Sequence, residues 1–309
     1  MAHTHDHKCG AAGQNGKRLL WVTMFNFLIT VIQVAGGLLS NSLSLLSDAL
    51  HNLGDSSAMF IAFLAGKISG KQPDERKTFG YRRIEILAAL FNSVVLMAVC
   101  IYLFIEAIRR FVNPEPVEGR VMFIVAIFGL GVNLVSILVL HRDRNHNLNV
   151  KAAYLHLTGD TLSSVVVIAG ACAIRLFRVY WIDPAVTVFV GGFILYHAWR
   201  VAKETVDILM QAAPPGMNVN RIKTVVESVP EIDNMHHLHV WKLDDTHINL
   251  EAHINLRNNI TVEEMMAVRL RAEDLLHDTF GIEHVTLQMG YRCCGGNKNL
   301  IAAGSSDLY

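Results

Sequence analysis

The chain has 309 residues, of which 52% are hydrophobic and only 17% charged, against about 25% charged in an ordinary soluble protein. Its 27 basic and 27 acidic residues cancel, which excludes the basic surplus of a general nucleic-acid binder, and the wealth of apolar surface excludes a disordered chain. Five cysteines at this length exclude a disulfide scaffold, and the length itself accommodates about two domains.

Residues 1–18 are polar and have no apolar core of their own, so they do not read as a cleaved signal. They carry His3, His5, His7 and Cys9, a short metal-attracting tail whose ordering entropy works against tight binding. Six apolar runs follow, at about 19–39, 43–65, 84–105, 121–140, 150–173 and 182–201. Each is near the roughly twenty residues that cross a bilayer core as a helix. The expectation is an α-helical membrane protein with six transmembrane helices over 19–203.

Basic residues near the run ends set the orientation. One side holds Lys8, Lys17, Arg18, Lys67, Lys71, Arg76, Lys77, Arg82, Arg83, Arg142, Arg144, Lys151, Arg200 and Lys203, fourteen in all. The other holds five: Arg109, Arg110, Arg120, Arg175 and Arg178. Both termini are therefore expected in the cytoplasm. The compact chain without targeting features suits a bacterial plasma (inner) membrane.

After Lys203 the character changes, and Ala213-Pro214-Pro215-Gly216 is a breaker cluster. Residues 218–229 have helical spacing, with Ile222, Val225, Val226 and Val229 as the apolar stripe. Residues 236–242 and 247–256 alternate like strands. Residues 261–280 read as an amphipathic helix and 283–290 as a last strand. The expected C-terminal domain, 204–291, is thus a cytoplasmic α+β unit in the order αββαβ. Residues 292–309 read as a flexible tail.

The chemistry sits inside the apolar runs. The second contains His51-Asn-Leu-Gly54-Asp55 and the fifth His156-Leu-Thr-Gly159-Asp160, two copies of His-x-x-Gly-Asp. An Asp at a membrane helix centre costs about 2.5–3.5 kcal/mol to insert, so such residues are rare and mostly functional. His and Asp four apart lie on one helix face. A single intramembrane His is explained as well by a bond to a neighbouring helix; two copies of one spaced pair on different spans are not. Brought together, His51, Asp55, His156 and Asp160 offer four N/O ligands, which suits tetrahedral Zn²⁺, and two carboxylates offset its charge. Asp48 lies one turn before His51, either as a supporting partner or near the membrane edge, and is not counted as a ligand. Glu85 and Glu106 read as snorkelling groups. Asn26, Gln33, Asn92 and Asn133 read as interhelical hydrogen-bonding groups or the lining of a water path.

The stretches SLSLLSDALHNLGD, FGYRRIEILAALFN, NLNVKAAYLHLTGDTLSS and HHLHVW resemble the cation diffusion facilitator family, in its zinc-selective His/Asp branch. The resemblance covers nearly the whole chain. It implies a homodimer in a lipid bilayer, six spans per protomer and a ferredoxin-like cytoplasmic domain. It also implies export of zinc, alongside other divalent cations, in exchange for protons. The family's transport ligands fall on His51, Asp55, His156 and Asp160. Its cytoplasmic zinc ligands fall on His236 and His253, with further ligands nearby or from the tail. Here His239, His284, Cys293 and Cys294 are the candidates. Relatives often place an acid after span six against a base at the start of span three. Here that position is Gln211, opposite Arg82 or Arg83; Asp207 stands in for the acid, or the pair is absent.

Two other functions share these residues. An intramembrane zinc enzyme would need an open coordination position, and neither that nor His-Glu-x-x-His is present. A membrane zinc sensor would use the same sites and move no ion. No ATP-binding P-loop is present either, so the reading is secondary active transport and not an enzyme.

Overall fold

The computed structural model describes residues 9–141, 148–292 and 300. The chain divides into two compact units. The first comprises Met1–Leu64 with Ala88–Ala202, and the second Ala65–Leu87 with Lys203–Tyr309.

Six long helices account for the apolar runs: α1 (Cys9–Ser40), α2 (Leu43–Ser69), α3 (Arg83–Val112), α4 (Gly119–His141), α5 (Leu148–Phe177) and α6 (Ile182–Leu209). Among the described residues, four stretches are long and apolar enough to cross a membrane: Arg83–Val112, Gly119–Val139, Leu157–Phe177 and Ile182–Leu209. Asn26–Ser40 of α1 is a shorter apolar stretch. α2 is not among the four. Its middle carries Asp48, His51, Asn52, Asp55, Ser56 and Ser57, and these lower its hydropathy. The same residues that make α2 chemically interesting make it a weak span by composition.

Within the first unit, α1 packs on α4 through two glycines. A Cβ at Gly36 would stand 2.7 Å from Val125 Cγ2, and one at Gly129 would stand 2.8 Å from Gln33 Nε2. Small residues at such crossings let helix backbones approach closely. Val167, Ala171 and Ile174 of α5 meet Met122 and Ala126 of α4 in one core, and Val190 and Ile194 of α6 meet Cys100 of α3 in another. Cys100 is thus a buried packing residue.

The turn between α1 and α2 is pinned from two sides. Asn41 adopts a left-handed backbone, φ 54°. Its carbonyl and side-chain oxygens accept from the Arg110 guanidinium at 2.6 and 2.8 Å. Glu106 accepts from both Arg109 and Arg110 at 2.7–3.1 Å. It is therefore paired at the end of α3 instead of snorkelling alone. On the other side, Asp183 in the first turn of α6 caps α2. Its carboxylate accepts from Leu43 N at 2.7 Å, Ser44 N at 3.2 Å, Ser42 Oγ at 2.6 Å and Ser44 Oγ at 2.7 Å. A helix start leaves its first N–H groups without partners, and here an acid from another helix supplies the acceptor.

The second unit holds α7 (Val219–Glu227), β1 (Ile232–Lys242), β2 (Ile248–Leu256), α8 (Val262–Phe280) and β3 (His284–Tyr291). The order is the expected αββαβ. Asn218 caps α7, accepting from Asn220 N and Arg221 N. Thr261 and Glu264 form a reciprocal capping box on α8, and Gly281 ends it with φ 67°. The sheet order is β1-β2-β3, with β1 antiparallel to β2 and β2 parallel to β3 across the α8 connection. Ile222 and Val226 of α7 and Val268, Ala272 and Leu276 of α8 cover its apolar face, with Leu250, Ala252 and Ile254 beneath. The alternation along β2 therefore buries Leu250, Ala252 and Ile254 on one side.

Candidate metal sites

Four side chains carry the intramembrane candidate. α2 supplies His51 and Asp55, and α5 supplies His156 and Asp160. His51 Nε2 lies 3.4 Å from Asp160 Oδ1, so the first member of one motif meets the last member of the other. Asp160 is buried and His51 largely so. The side chains of Asp55 and His156 lie outside the described residues. Their backbones place them one helical turn from His51 and Asp160 respectively.

A polar network stands beside this contact. Ser163 Oγ on α5 donates to Asp48 Oδ1 at 2.6 Å, and Gln33 Nε2 on α1 donates to Asp48 Oδ2 at 2.8 Å. Asn52 Nδ2 then donates to Gln33 Oε1 at 2.9 Å. Asp48, Gln33 and Asn52 are all buried. Of the two places open to Asp48 from sequence, the structure selects the interior. It ties three helices together around the His51–Asp160 contact. A buried carboxylate held by three elements restrains the rotation of each, and supporting partners of this kind orient the groups that bind a metal.

The cytoplasmic candidate forms around a bulge. The β1–β2 register slips between His236 and His239, and His237 between them takes φ 50°. A bulge re-aims side chains, and here it gathers histidines. His236 pairs with His253 across the strands, their rings 5.5 Å apart at right angles. His237 stacks on His253 at 4.6 Å. His239 Nε2 is 3.3 Å from His237 Nε2. His236 is buried, and its two ring nitrogens have no hydrogen-bond partner among the described residues. Burial first, and then the His253 ring, hold its pKa below the ordinary histidine value. Burial and the His237 ring do the same to His253. Neutral imidazoles are what a divalent metal requires.

The structure thus links His236, His253, His237 and His239 through successive ring contacts, but among the described residues no three ligating side chains converge closely enough to hold a metal ion. His284 stands elsewhere. It pairs with Asn249, whereas His253 pairs with Gln288, about 13 Å further along the strand at the usual rise. Cys293 and Cys294 lie outside the described residues, as do His3, His5 and His7; Cys9 begins α1, and its side chain is not described. His237 was not selected from sequence because strict alternation directs it away from His236. The slipped register is the only signal, and it appears once β1 is paired.

Asp244, in the turn after β1, is a further acid in this unit. Oδ1 accepts from Thr246 N, Thr246 Oγ, His247 N and His247 Nδ1 at 2.7–3.1 Å. Burial raises its pKa, but the bonds from His247 and Thr246 outweigh it and hold the carboxyl at about 2. Oδ2 lies 3.6 Å from Arg82. Arg82 therefore faces an acid from the turn after β1, while Gln211 supplies no charge and Asp207 is exposed.

Comparison with known proteins gives a consistent result. Residues 19–210 match the cation efflux transmembrane domain and residues 214–290 the cytoplasmic domain of cation efflux proteins. A zinc transporter (ZitB) of Pectobacterium atrosepticum is 38% identical over 95% of this chain and 90% of its own length. A metal cation efflux system protein (CzcD) of Cupriavidus metallidurans is 36% identical over 94% of this chain and 90% of its own. A cadmium, cobalt and zinc/H⁺-K⁺ antiporter of Bacillus velezensis is 38% identical over 94% and 92%. With both domains matched in order and relatives of this kind over nearly the full length, the chain belongs to the cation efflux family, whose members are transporters and not enzymes.

Proposed function

We propose that the protein exports Zn²⁺ from the cytoplasm by exchange with protons, through one intramembrane site made of His51, Asp55, His156 and Asp160. The observation that carries this reading is the 3.4 Å contact between His51 and Asp160, which joins the two His-x-x-Gly-Asp motifs across α2 and α5. Two imidazoles and two carboxylates match tetrahedral zinc and cancel its charge. Other divalent cations compete to the extent that they accept the same donors.

The chemistry of exchange follows from the donor set. Zinc binds ionised aspartates and neutral histidines, so protons and zinc compete for one site. Facing the cytoplasm, the site takes zinc. Facing a more acidic exterior, it takes protons, releases zinc and resets. One site and two conformations suffice, with the helix bundle rocking between them.

The architecture proposed with it has six spans per protomer over residues 19–203, with α1 and α2 completing the set, and both termini cytoplasmic at the plasma membrane. The C-terminal unit, 204–291, is ferredoxin-like and joins two protomers. There His236 and His253, with His237 and His239 within reach, bind zinc to regulate transport and do not carry it.

Purified protein in liposomes with a zinc dye and a pH dye tests the reading. Zinc movement should accelerate under an opposing proton gradient, with protons counter-flowing. Zinc binding without flux would make the protein a sensor, and flux indifferent to pH would make it a facilitator.

A further inference from the structure

The loop that leads into α3 gathers four cations around one cavity. Arg76, Lys77, Arg82 and Arg83 line a space of about 380 Å³, within the range of small-ligand sites. A general bias of basic residues to the cytoplasmic side does not explain this convergence. Arg200 and Lys203 satisfy the same bias from exposed helix positions and do not line this space.

Among the described residues one acid, Asp244, stands against these four cations. Among the described residues no carboxylate lines the cavity, and Gln211, Trp241 and Leu243 are part of the lining. The side chains of Arg76, Lys77 and Arg83 make no ion pair among the described residues, and Arg83 Nε is buried there without a hydrogen-bond partner. Asp244 reaches Arg82 alone, at 3.6 Å, with its other oxygen taken by Thr246 and His247. Asp74 is committed to the loop, accepting from Arg76 N, Lys77 N and Tyr81 OH at 2.6–2.8 Å. Most of the positive charge must therefore be met from outside.

The position says by what. Arg83 is the first residue of α3, a helix apolar enough to cross a membrane. Leu87, one turn on, is 51% exposed, and Phe79 on the loop is 54% exposed. A ligand that reaches this place is anionic at one end and apolar at the other. We infer that the cavity bounded by Arg76, Lys77, Arg82 and Arg83 binds the phosphate headgroup of an anionic phospholipid, with Phe79 and Leu87 against the start of its acyl chains. The inference rests on α3 meeting a bilayer and is independent of the cargo and its ligands.

The test is lipid retention by the intact protein, read by native mass spectrometry after exchange into detergent with defined lipid. Phosphatidylglycerol should be retained in preference to phosphatidylcholine, and less so as salt rises. Each basic residue near an anionic lipid surface contributes about five-fold in affinity, so Arg76→Gln with Lys77→Gln should weaken phosphatidylglycerol binding about 25-fold. Both side chains are exposed, so this double variant folds even if Arg83→Gln does not. Lys203→Gln should leave retention unchanged. Equal retention of the two lipids, or an equal loss in Lys203→Gln, would overturn the inference. So would binding of inorganic phosphate with none of phosphatidylglycerol, which would make the site one for a soluble anion.

Discussion

Replacing Asp183 by alanine removes one carboxylate and leaves four donors without their acceptor. The two hydroxyls can turn toward each other, since Ser42 Oγ and Ser44 Oγ are already 3.3 Å apart. The N–H groups of Leu43 and Ser44 cannot. A buried donor without a partner costs about 1–3 kcal/mol, so the two cost about 2–6 kcal/mol. Asp183 is fully buried, so solvent does not replace it. At about 2–4 °C per kcal/mol for a domain of this size, the helical unit should melt at least about 4 °C lower. Asp183→Asn keeps one carbonyl oxygen and should lose about half as much. The consequence reaches function because α2 begins at Leu43, and His51 lies two turns on, about 12 Å at helical rise. Zinc flux per folded protein should therefore fall in Asp183→Ala. Melting in detergent, followed alongside flux in liposomes, is the assay. An alanine variant that melts within about 1 °C of the parent would show that the cap is not what anchors α2. An asparagine variant as damaged as the alanine would show that charge, and not the number of acceptors, matters.

Three further outcomes are expected. Asp160→Ala should abolish zinc flux while the protein remains assembled, because the bound ion would keep net positive charge in a low-dielectric site; parental flux in a liposome assay would remove Asp160 from the ligand set. His51→Asp should admit cadmium more readily through a more anionic site of three carboxylates and one imidazole, an expectation that comes from the family resemblance; competition transport with zinc and cadmium reads it, and an unchanged preference counts against His51 as selector. The lowered pKa values of His236 and His253 mean that unfolding takes up protons, so the cytoplasmic unit should keep its full stability above about pH 6.5 and lose it as pH falls toward the folded pKa values. Denaturant midpoints across that range, with His236→Ala as the comparison, measure it; a flat profile in the parent would contradict the burial argument.

Much of this protein is written locally. Apolar runs near bilayer length sit where α1 to α6 lie, because hydropathy is a property of a segment and needs no partner. The repeated His-x-x-Gly-Asp puts His and Asp on one helix face by period alone, which is why His51, Asp55, His156 and Asp160 stand out from sequence as the proposed ligand set. Alternation likewise marks 247–256 as a strand, and amphipathic spacing marks 261–280 as a helix. What periodicity does not contain is which faces meet. The His51–Asp160 contact, the tie from Ser163 to Asp48 and the Asp183 cap on α2 all join residues more than 100 apart in sequence. Their existence depends on how helices cross. The bulge in β1 is the same lesson at short range: His237 is directed away from His236 by strict alternation, and only pairing against β2, with one residue left over, turns it onto His253. Local pattern determines which side chains are available on a face. Tertiary packing decides which of them stand within bonding distance, because that distance is set by the neighbour and not by the segment itself.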